Sequence, residues 1–440
     1  MKVLKFGGTS VGSPTNMNRV KELITRDDET KIVVLSAVSG TTNSLVEIGE
    51  ELYQKDKIGA SGKIEALYAK YEIFLKELYA SSENLAKGKE VVDTHFGIIR
   101  DMLEVPFTGT EERLLLAQGE LISTQLFHYY LSEIGVDSQL LWSLNFMATD
   151  ENDEPIVPFT RQKLQEAIDD LPESKIYIAQ GYICMNSDGE VDNLKRGGSD
   201  YTASLIGAAL RATEVQIWTD IDGMHNNDPR VVDKTRPIAQ LSFDEAAELA
   251  YFGAKILHPA TIRPAHDEKI PVKLLNTMDP EAHGTVISEA TTEGSIKALA
   301  AKDNIIAIKI KSSRMLLAYG FLRRVFEVFE KYKTSIDMIT TSEIAVSLTI
   351  DDGTHLKEIT KELEQFGFIE IDRDKTIISA VGQGINDTKD IAMNVLDSLE
   401  DISIRMISFG GSRNNISMLI NTEDKQRALQ SMNEQLFDWN

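Results

Sequence analysis

A single cysteine, Cys184, in 440 residues excludes an internal disulfide framework and suits a reducing compartment. It lies in the apolar run Gly181-Tyr182-Ile183-Cys184-Met185 and reads as a packed core residue rather than a nucleophile. Long apolar runs are also missing. No stretch reaches the roughly 18 apolar residues of a membrane span. Met1-Lys2 leads straight into a strand with no apolar leader, so a cytoplasmic, non-membrane protein is expected. Positive charge is scarce: 46 Lys and Arg stand against 69 Asp and Glu, a net charge of −23. That balance disfavours nucleic acid and anionic lipid as partners. An anionic substrate therefore has to meet local basic residues. No histidine-rich cage is present, so no protein-held metal is expected.

What is present is alternation. Over the first ~290 residues, short β-branched strands (Lys2–Phe6, Lys31–Ser36, Lys175–Gln180, Val215–Thr219, Val272–Leu275) alternate with helical patterns (Pro14–Arg26, Asp200–Arg211, Ser242–Phe252). This predicts a layered α/β domain around a mostly parallel sheet. Residues ~45–105 read as a helical excursion. Thr291-Thr292-Glu293-Gly294-Ser295 reads as a linker. Beyond it, Ser335-Ile336-Asp337-Met338-Ile339 recurs 68 positions later as Ser403-Ile404-Arg405-Met406-Ile407. Two copies imply two related βαββαβ modules rather than a solenoid.

The polar punctuation carries the chemistry. Lys5-Phe6-Gly7-Gly8-Thr9-Ser10 delivers a lysine from a strand, then two glycines and two hydroxyls. Glycines let phosphate oxygens reach backbone N–H groups, and lysine adds a point charge. The spacing is not that of a P-loop. Read alone, the segment is equally a strand ending in a Gly-Gly turn. Leu35-Ser36-Ala37-Val38-Ser39-Gly40-Thr41-Thr42 ends a strand in a hydroxyl-rich loop, fit for an anion or for ordinary helix capping. Gln118-Gly119-Glu120 is expected to open a helix and offers a carboxylate to a substrate ammonium. Lys195-Arg196-Gly197-Gly198-Ser199-Asp200 forms a second glycine turn, with a guanidinium for a carboxylate and an acid for a lysine or a magnesium-bound water. Trp218-Thr219-Asp220 and Asp228-Pro229-Arg230 flank a polar loop, and Gly253-Ala254-Lys255 brings another lysine. Together these suit phosphoryl transfer, where catalysis is mostly positioning and charge neutralisation.

In that order and spacing, these motifs resemble the aspartate kinases of the amino-acid kinase fold, from end to end. The resemblance implies a three-layer α/β catalytic domain over residues 1–292. It implies a tandem ACT region over 296–440, with modules at about 303–372 and 376–440 and possible strand exchange. The implied reaction transfers the γ-phosphoryl of MgATP to the side-chain carboxylate of L-aspartate. No homoserine dehydrogenase half is expected. The resemblance assigns Lys5, Gly8 and Asp200 to catalysis and Ser36, Thr42, Glu120, Arg196 and Ser199 to aspartate. It assigns Lys5, Gly7, Gly8, Ser10, Thr219, Asp220, His225, Arg230 and Lys255 to the nucleotide. Met315, Gly320, Phe321, Leu322, Asp337, Thr341, Ser342 and Glu343 match an effector loop, with lysine or threonine as feedback inhibitor. ACT pairing implies a homodimer or a dimer of dimers. A sister kinase with another acceptor and an idle amino-acid sensor are the competing readings.

Overall fold

The computed structural model describes every residue except 196, 254–256, 290–293, 313–318 and 438–440. It divides into two compact units: Met1–Met224, Ala239–Phe243 and Leu257–Glu289 in one, His225–Ile238, Asp244–Ile256 and Ala290–Asn440 in the other.

The first unit begins β1 (Lys2–Phe6), α1 (Pro14–Ile24), β2 (Lys31–Leu35). The helical excursion follows as α2 (Thr41–Tyr53), α3 (Lys57–Leu78), α4 (Ser82–Asp101) and α5 (Gly109–Glu133). Then come β3 (Gln139–Leu141), α6 (Val157–Asp169), β4 (Ile176–Gln180), the hairpin β5 (Ile183–Met185) and β6 (Val191–Asn193), α7 (Gly198–Leu210) and β7 (Val215–Thr219). The remaining elements are β8 (Gln240–Leu241), α9 (Pro259–Asp267), β9 (Val272–Asn276) and β10 (Thr285–Ile287), while α8 (Phe243–Tyr251), which lies between β8 and α9 in sequence, belongs from Asp244 onward to the second unit.

Eight strands form one sheet in the order β3-β4-β2-β1-β7-β9-β10-β8. From β3 to β9 all neighbours are parallel, and β10 turns antiparallel to β9. The expected parallel sheet is therefore present. β2 and β4 are buried along their whole length, as strands covered on both faces must be. β1 shows the period-two division of labour. Leu4 and Phe6 enter a core with Met17 and Val20 of α1, while Lys5 faces α7, which packs on β1. The strand order reverses at β1, between β2 and β7. Carboxyl ends at such a switch point open a crevice where ligands bind.

The second unit holds β11 (Ala298–Lys311), α10 (Phe321–Lys331), β12 (Ile339–Thr341), β13 (Ala345–Ile350), α11 (Leu356–Leu363) and β14 (Phe368–Val381). It continues with α12 (Ile391–Asp397), β15 (Met406–Phe409), β16 (Asn415–Asn421) and α13 (Lys425–Leu436). Its six strands run β12-β13-β11-β14-β16-β15, all antiparallel. β11 and β14 pair from Ala298↔Val381 to Lys311↔Phe368. The later part of β11 pairs with β13 and the later part of β14 with β16. Each half of the sheet is thus a βαββαβ set. The second set takes its last strand from the early part of β11. Separate cores fill them: Ile308, Val325, Phe329 and Leu348 in one, Ile378, Val395, Met418 and Leu429 in the other. Of the expected linker only Gly294 and Ser295 are described, and the Gly294 N–H donates to the Gln383 carbonyl.

Candidate active site

The carboxyl end of β1 carries Lys5, whose ammonium lies 2.7 Å from Asp200 Oδ1 in the first turn of α7. Both side chains are largely buried. The chain then turns at Gly7-Gly8. A Cβ on Gly8 would sit 3.0 Å from the Ala37 carbonyl, and one on Gly12 2.8 Å from Ser39 Cβ. The loop after β1 and the loop after β2 thus pack backbone to backbone. Ser10 follows the two glycines. Its hydroxyl is buried and bonds Thr277 Oγ1 at 2.7 Å, tying this loop to the end of β9.

The start of α7 depends on glycine. Gly197 has φ +63°, and a Cβ there would stand 1.8 Å from Thr261 Cγ2. The turn aims Ser199 and Asp200 at β1 and β2. Ser36 Oγ donates to Ser199 Oγ at 2.8 Å. Gly181 leaves the room for this, since a Cβ there would fall 2.2 Å from Ser199 Oγ. The fold therefore brings Lys5, Ser36, Ser199 and Asp200 together. The hydroxyl run before α2 does not cap that helix: Gly40, at φ +82°, is the N-cap, and no side chain caps it. Thr41 is buried against the Tyr71 hydroxyl at 2.9 Å, and Thr42 is exposed.

Glu120 corrects an expectation. It does not open a helix but lies in the middle of α5, so no helix-terminal dipole accounts for it. Gly119 permits its position, because a Cβ there would press within 2.8 Å of Ala37 Cβ. Glu120 is 4% exposed. Oε1 accepts the Ala37 N–H at 3.2 Å. Oε2 has no hydrogen-bond partner among the described residues. Burial pushes the carboxyl up to about 8, against the Ala37 N–H and the Lys5 charge. Native structures rarely leave a buried carboxylate oxygen unmatched, which marks this one as waiting for a donor. Tyr182, which the motifs did not single out, stands nearby. Its backbone is left-handed at φ +69°, its N–H donates to Thr202 Oγ1 at 2.9 Å, and burial plus the Glu120 charge push its phenol up to about 12.

The expected nucleotide residues divide. Thr219 ends β7, and its hydroxyl donates to Asp220 at 3.1 Å. His225 and Arg230 belong to the second unit. His225 Nδ1 lies 2.8 Å from the Thr235 hydroxyl. Arg230 forks onto Asp228 at 2.9 and 2.7 Å and holds that carboxyl below its ordinary range. Arg196, Lys255 and Met315 lie outside the described residues. Of the effector set, Gly320 precedes α10 at φ +75°. Phe321 turns its ring into the core, edge-on to Phe366. Leu322 is exposed. Thr341, Ser342 and Glu343 form the exposed end of β12 and its turn, with the Ser342 N–H on the Ala345 carbonyl. Asp337 is buried.

A family model described as the amino acid kinase family matches residues 1–276, and an ACT domain model matches residues 378–436. The lysine-sensitive aspartokinase 3 of Escherichia coli is 33% identical, with 99% of each chain covered. The chain belongs to the aspartokinases. Chloroplastic aspartokinase 1 of Arabidopsis thaliana is 34% identical over 99% of this chain and 80% of that one. Among solved aspartokinases, E. coli aspartokinase III in complex with aspartate and ADP (R-state) superposes with a TM-score of 0.86 at 32% identity over the whole of both chains. The same enzyme in complex with lysine and aspartate (T-state) gives 0.80. The aspartokinase fold thus accounts for the whole length. Among the described residues no helix is long and apolar enough to cross a membrane.

Proposed function

We propose that this chain phosphorylates the side-chain carboxylate of L-aspartate with ATP, giving 4-phospho-L-aspartate and ADP. One observation carries the reading: a lysine paired to a helix-start acid at the sheet's switch point, beside a buried carboxylate with one free oxygen. In the proposed step an aspartate carboxylate oxygen attacks the γ-phosphorus, a new P–O bond forms, and the bond to the β-bridging oxygen breaks. Lys5 neutralises charge on the phosphoryl in flight, and Asp200 holds the ammonium in place. Gly8 offers a backbone N–H donor, while Gly7 and Ser10, whose N–H groups donate to the Trp218 and Gly7 carbonyls, shape the turn around the phosphoryl group. Glu120 receives the substrate ammonium, Arg196 its α-carboxylate, and Ser36, Thr42 and Ser199 its remaining oxygens. Thr219, Asp220, His225, Arg230 and Lys255 line the nucleotide. Mg2+ would neutralise the β- and γ-phosphate oxygens, and it needs only one or two carboxylates besides phosphate and water, a part open to Asp200 and Asp220.

The same reading assigns residues 1–292 to catalysis and 296–440 to two ACT modules, at about 303–372 and 376–440. A homodimer or dimer of dimers in the cytoplasm, inhibited by lysine or threonine through Gly320, Phe321, Leu322, Asp337, Thr341, Ser342, Glu343 and Met315, completes it. A panel of aspartate, glutamate, carbamate and nucleotides with MgATP tests the acceptor. ADP formation that depends on aspartate, trapped as the hydroxamate, is expected. Turnover with glutamate alone, or none at all, overturns the assignment.

A further inference from the structure

The second unit buries a carboxylate that is only half satisfied. Asp337 precedes β12 with its side chain closed off from solvent. Oδ1 accepts from Lys302 Nζ at 2.6 Å and from the Tyr251 hydroxyl at 2.9 Å. Oδ2 has no hydrogen-bond partner among the described residues. Lys302 Nζ also lies 2.8 Å from Asp351 Oδ2, and 4.5 Å from the centre of the Tyr251 ring. One ammonium serves two carboxylates. With both ionised, the cluster has one negative charge left over, and a second cation is the group that would balance it.

The internal repeat sharpens the point. Arg405 occupies in the second copy the place of Asp337 in the first. Its Nε lies 3.4 Å from Asp372 Oδ2, and Lys375 sits 2.7 Å from Asp372 Oδ1. The signs are exchanged: the acid of the first motif meets a base on β11, and the base of the second motif meets an acid on β14. Only the first copy can receive an ammonium at this position.

We propose that Lys302 is a tethered competitor at the effector site. Its ammonium holds the carboxylate that an amino-acid effector's ammonium would take, and so sets the affinity. This rests on the reading of Asp337 as the effector acid. Tyr251 is the contact that reports exchange. It ends α8, which also sets Glu245 on Lys297 and on the Gln383 N–H, at 3.0 and 2.7 Å, and Glu248 on Asn415. These attachments recur every three residues along one helix face. A ligand that draws Asp337 away from Tyr251 removes the last of them.

Titration calorimetry of the full chain with L-lysine tests this without using activity. Lys302→Met, which keeps the bulk and removes the charge, should bind L-lysine at least tenfold more tightly than the native chain. Lys302→Arg, which keeps a cation on both carboxylates, should bind no more tightly than native. Equal or weaker binding by Lys302→Met, or no binding by all three chains, overturns the proposal. Should Lys302→Met not fold, Tyr251→Phe decides: release of one donor from Asp337 predicts several-fold tighter binding, and unchanged or weaker binding overturns it. A native chain that binds in this pattern yet forms no ADP with aspartate would refute the kinase reading and leave this one standing.

Discussion

Replacing Glu120 with glutamine keeps the side chain's shape and its acceptor for Ala37 but removes the charge proposed to meet the substrate ammonium. The size of the effect follows from burial. With the carboxyl pushed up to about 8, an incoming ammonium at pH 6.5 must first pull off a proton, which costs about 2 kcal/mol. At pH 8.5 that cost is nearly gone. A hydrogen bond to a charged group contributes about 1.5–3 kcal/mol. The substitution should therefore cost at most about 1 kcal/mol at pH 6.5 and the full amount at pH 8.5. At the higher pH the KM for aspartate should rise about 10- to 150-fold, with kcat much less affected. Initial rates of ADP formation against aspartate, at saturating MgATP, measure this for both proteins. Titration of the substrate's own amino group is common to both and cancels in their ratio. A KM ratio near one at pH 8.5, or one that does not grow with pH, refutes the role of Glu120.

Aspartate binding near pH 7 should release a proton, because a neighbouring ammonium favours the ionised carboxylate over the protonated form that burial favours; calorimetry in buffers of different ionisation heat reads this, and proton uptake contradicts it. By the same sign, the buried carboxyl weakens folding as pH rises from the ordinary carboxylate range through about 8, so Glu120→Gln should gain stability relative to native at pH 9 but not at pH 5. Gly181→Ala would set a Cβ 2.2 Å from Ser199 Oγ, and should cost about 1–3 kcal/mol in denaturant unfolding and raise the aspartate KM by displacing Ser199. Cys184 is buried and its thiol is pushed up to about 12, so iodoacetamide should label it only on unfolding; rapid labelling of the native chain contradicts the core assignment.

Strand positions were the most legible part. β1 and β7 run over Lys2–Phe6 and Val215–Thr219 as their apolar cores predict, because Val3, Leu4 and Phe6 and Val215, Ile217 and Trp218 are buried. α5 was misread because Gly119 resembles a boundary. Its true start carried a signal, Thr108-Gly109-Thr110-Glu111, which the structure uses as a reciprocal cap. Glycine at position 119 instead serves close approach, which depends on a loop some 80 residues away in sequence. The same limit hid Tyr182 and Gly181, whose parts come from packing against α5 and α7. Residues 225–238 and 244–256 share the local pattern of the first unit yet cluster with the second. Periodicity reports that a helix has a buried face, not which core buries it. The repeat pointed to two modules, but the pairing of the early part of β11 with the late part of β14 needed the register itself.

The proposed reaction turns on Lys5, held by Asp200, stabilising the phosphoryl group in flight. Lys5→Met, with aspartate-dependent hydroxamate formation measured alongside unfolding and nucleotide affinity, tests it most directly. The substitution should leave a folded protein that still binds nucleotide, with kcat reduced roughly a hundred- to a thousandfold, in line with about 3–4 kcal/mol of lost electrostatic stabilisation. A folded Lys5→Met protein that keeps kcat within tenfold of native would contradict it.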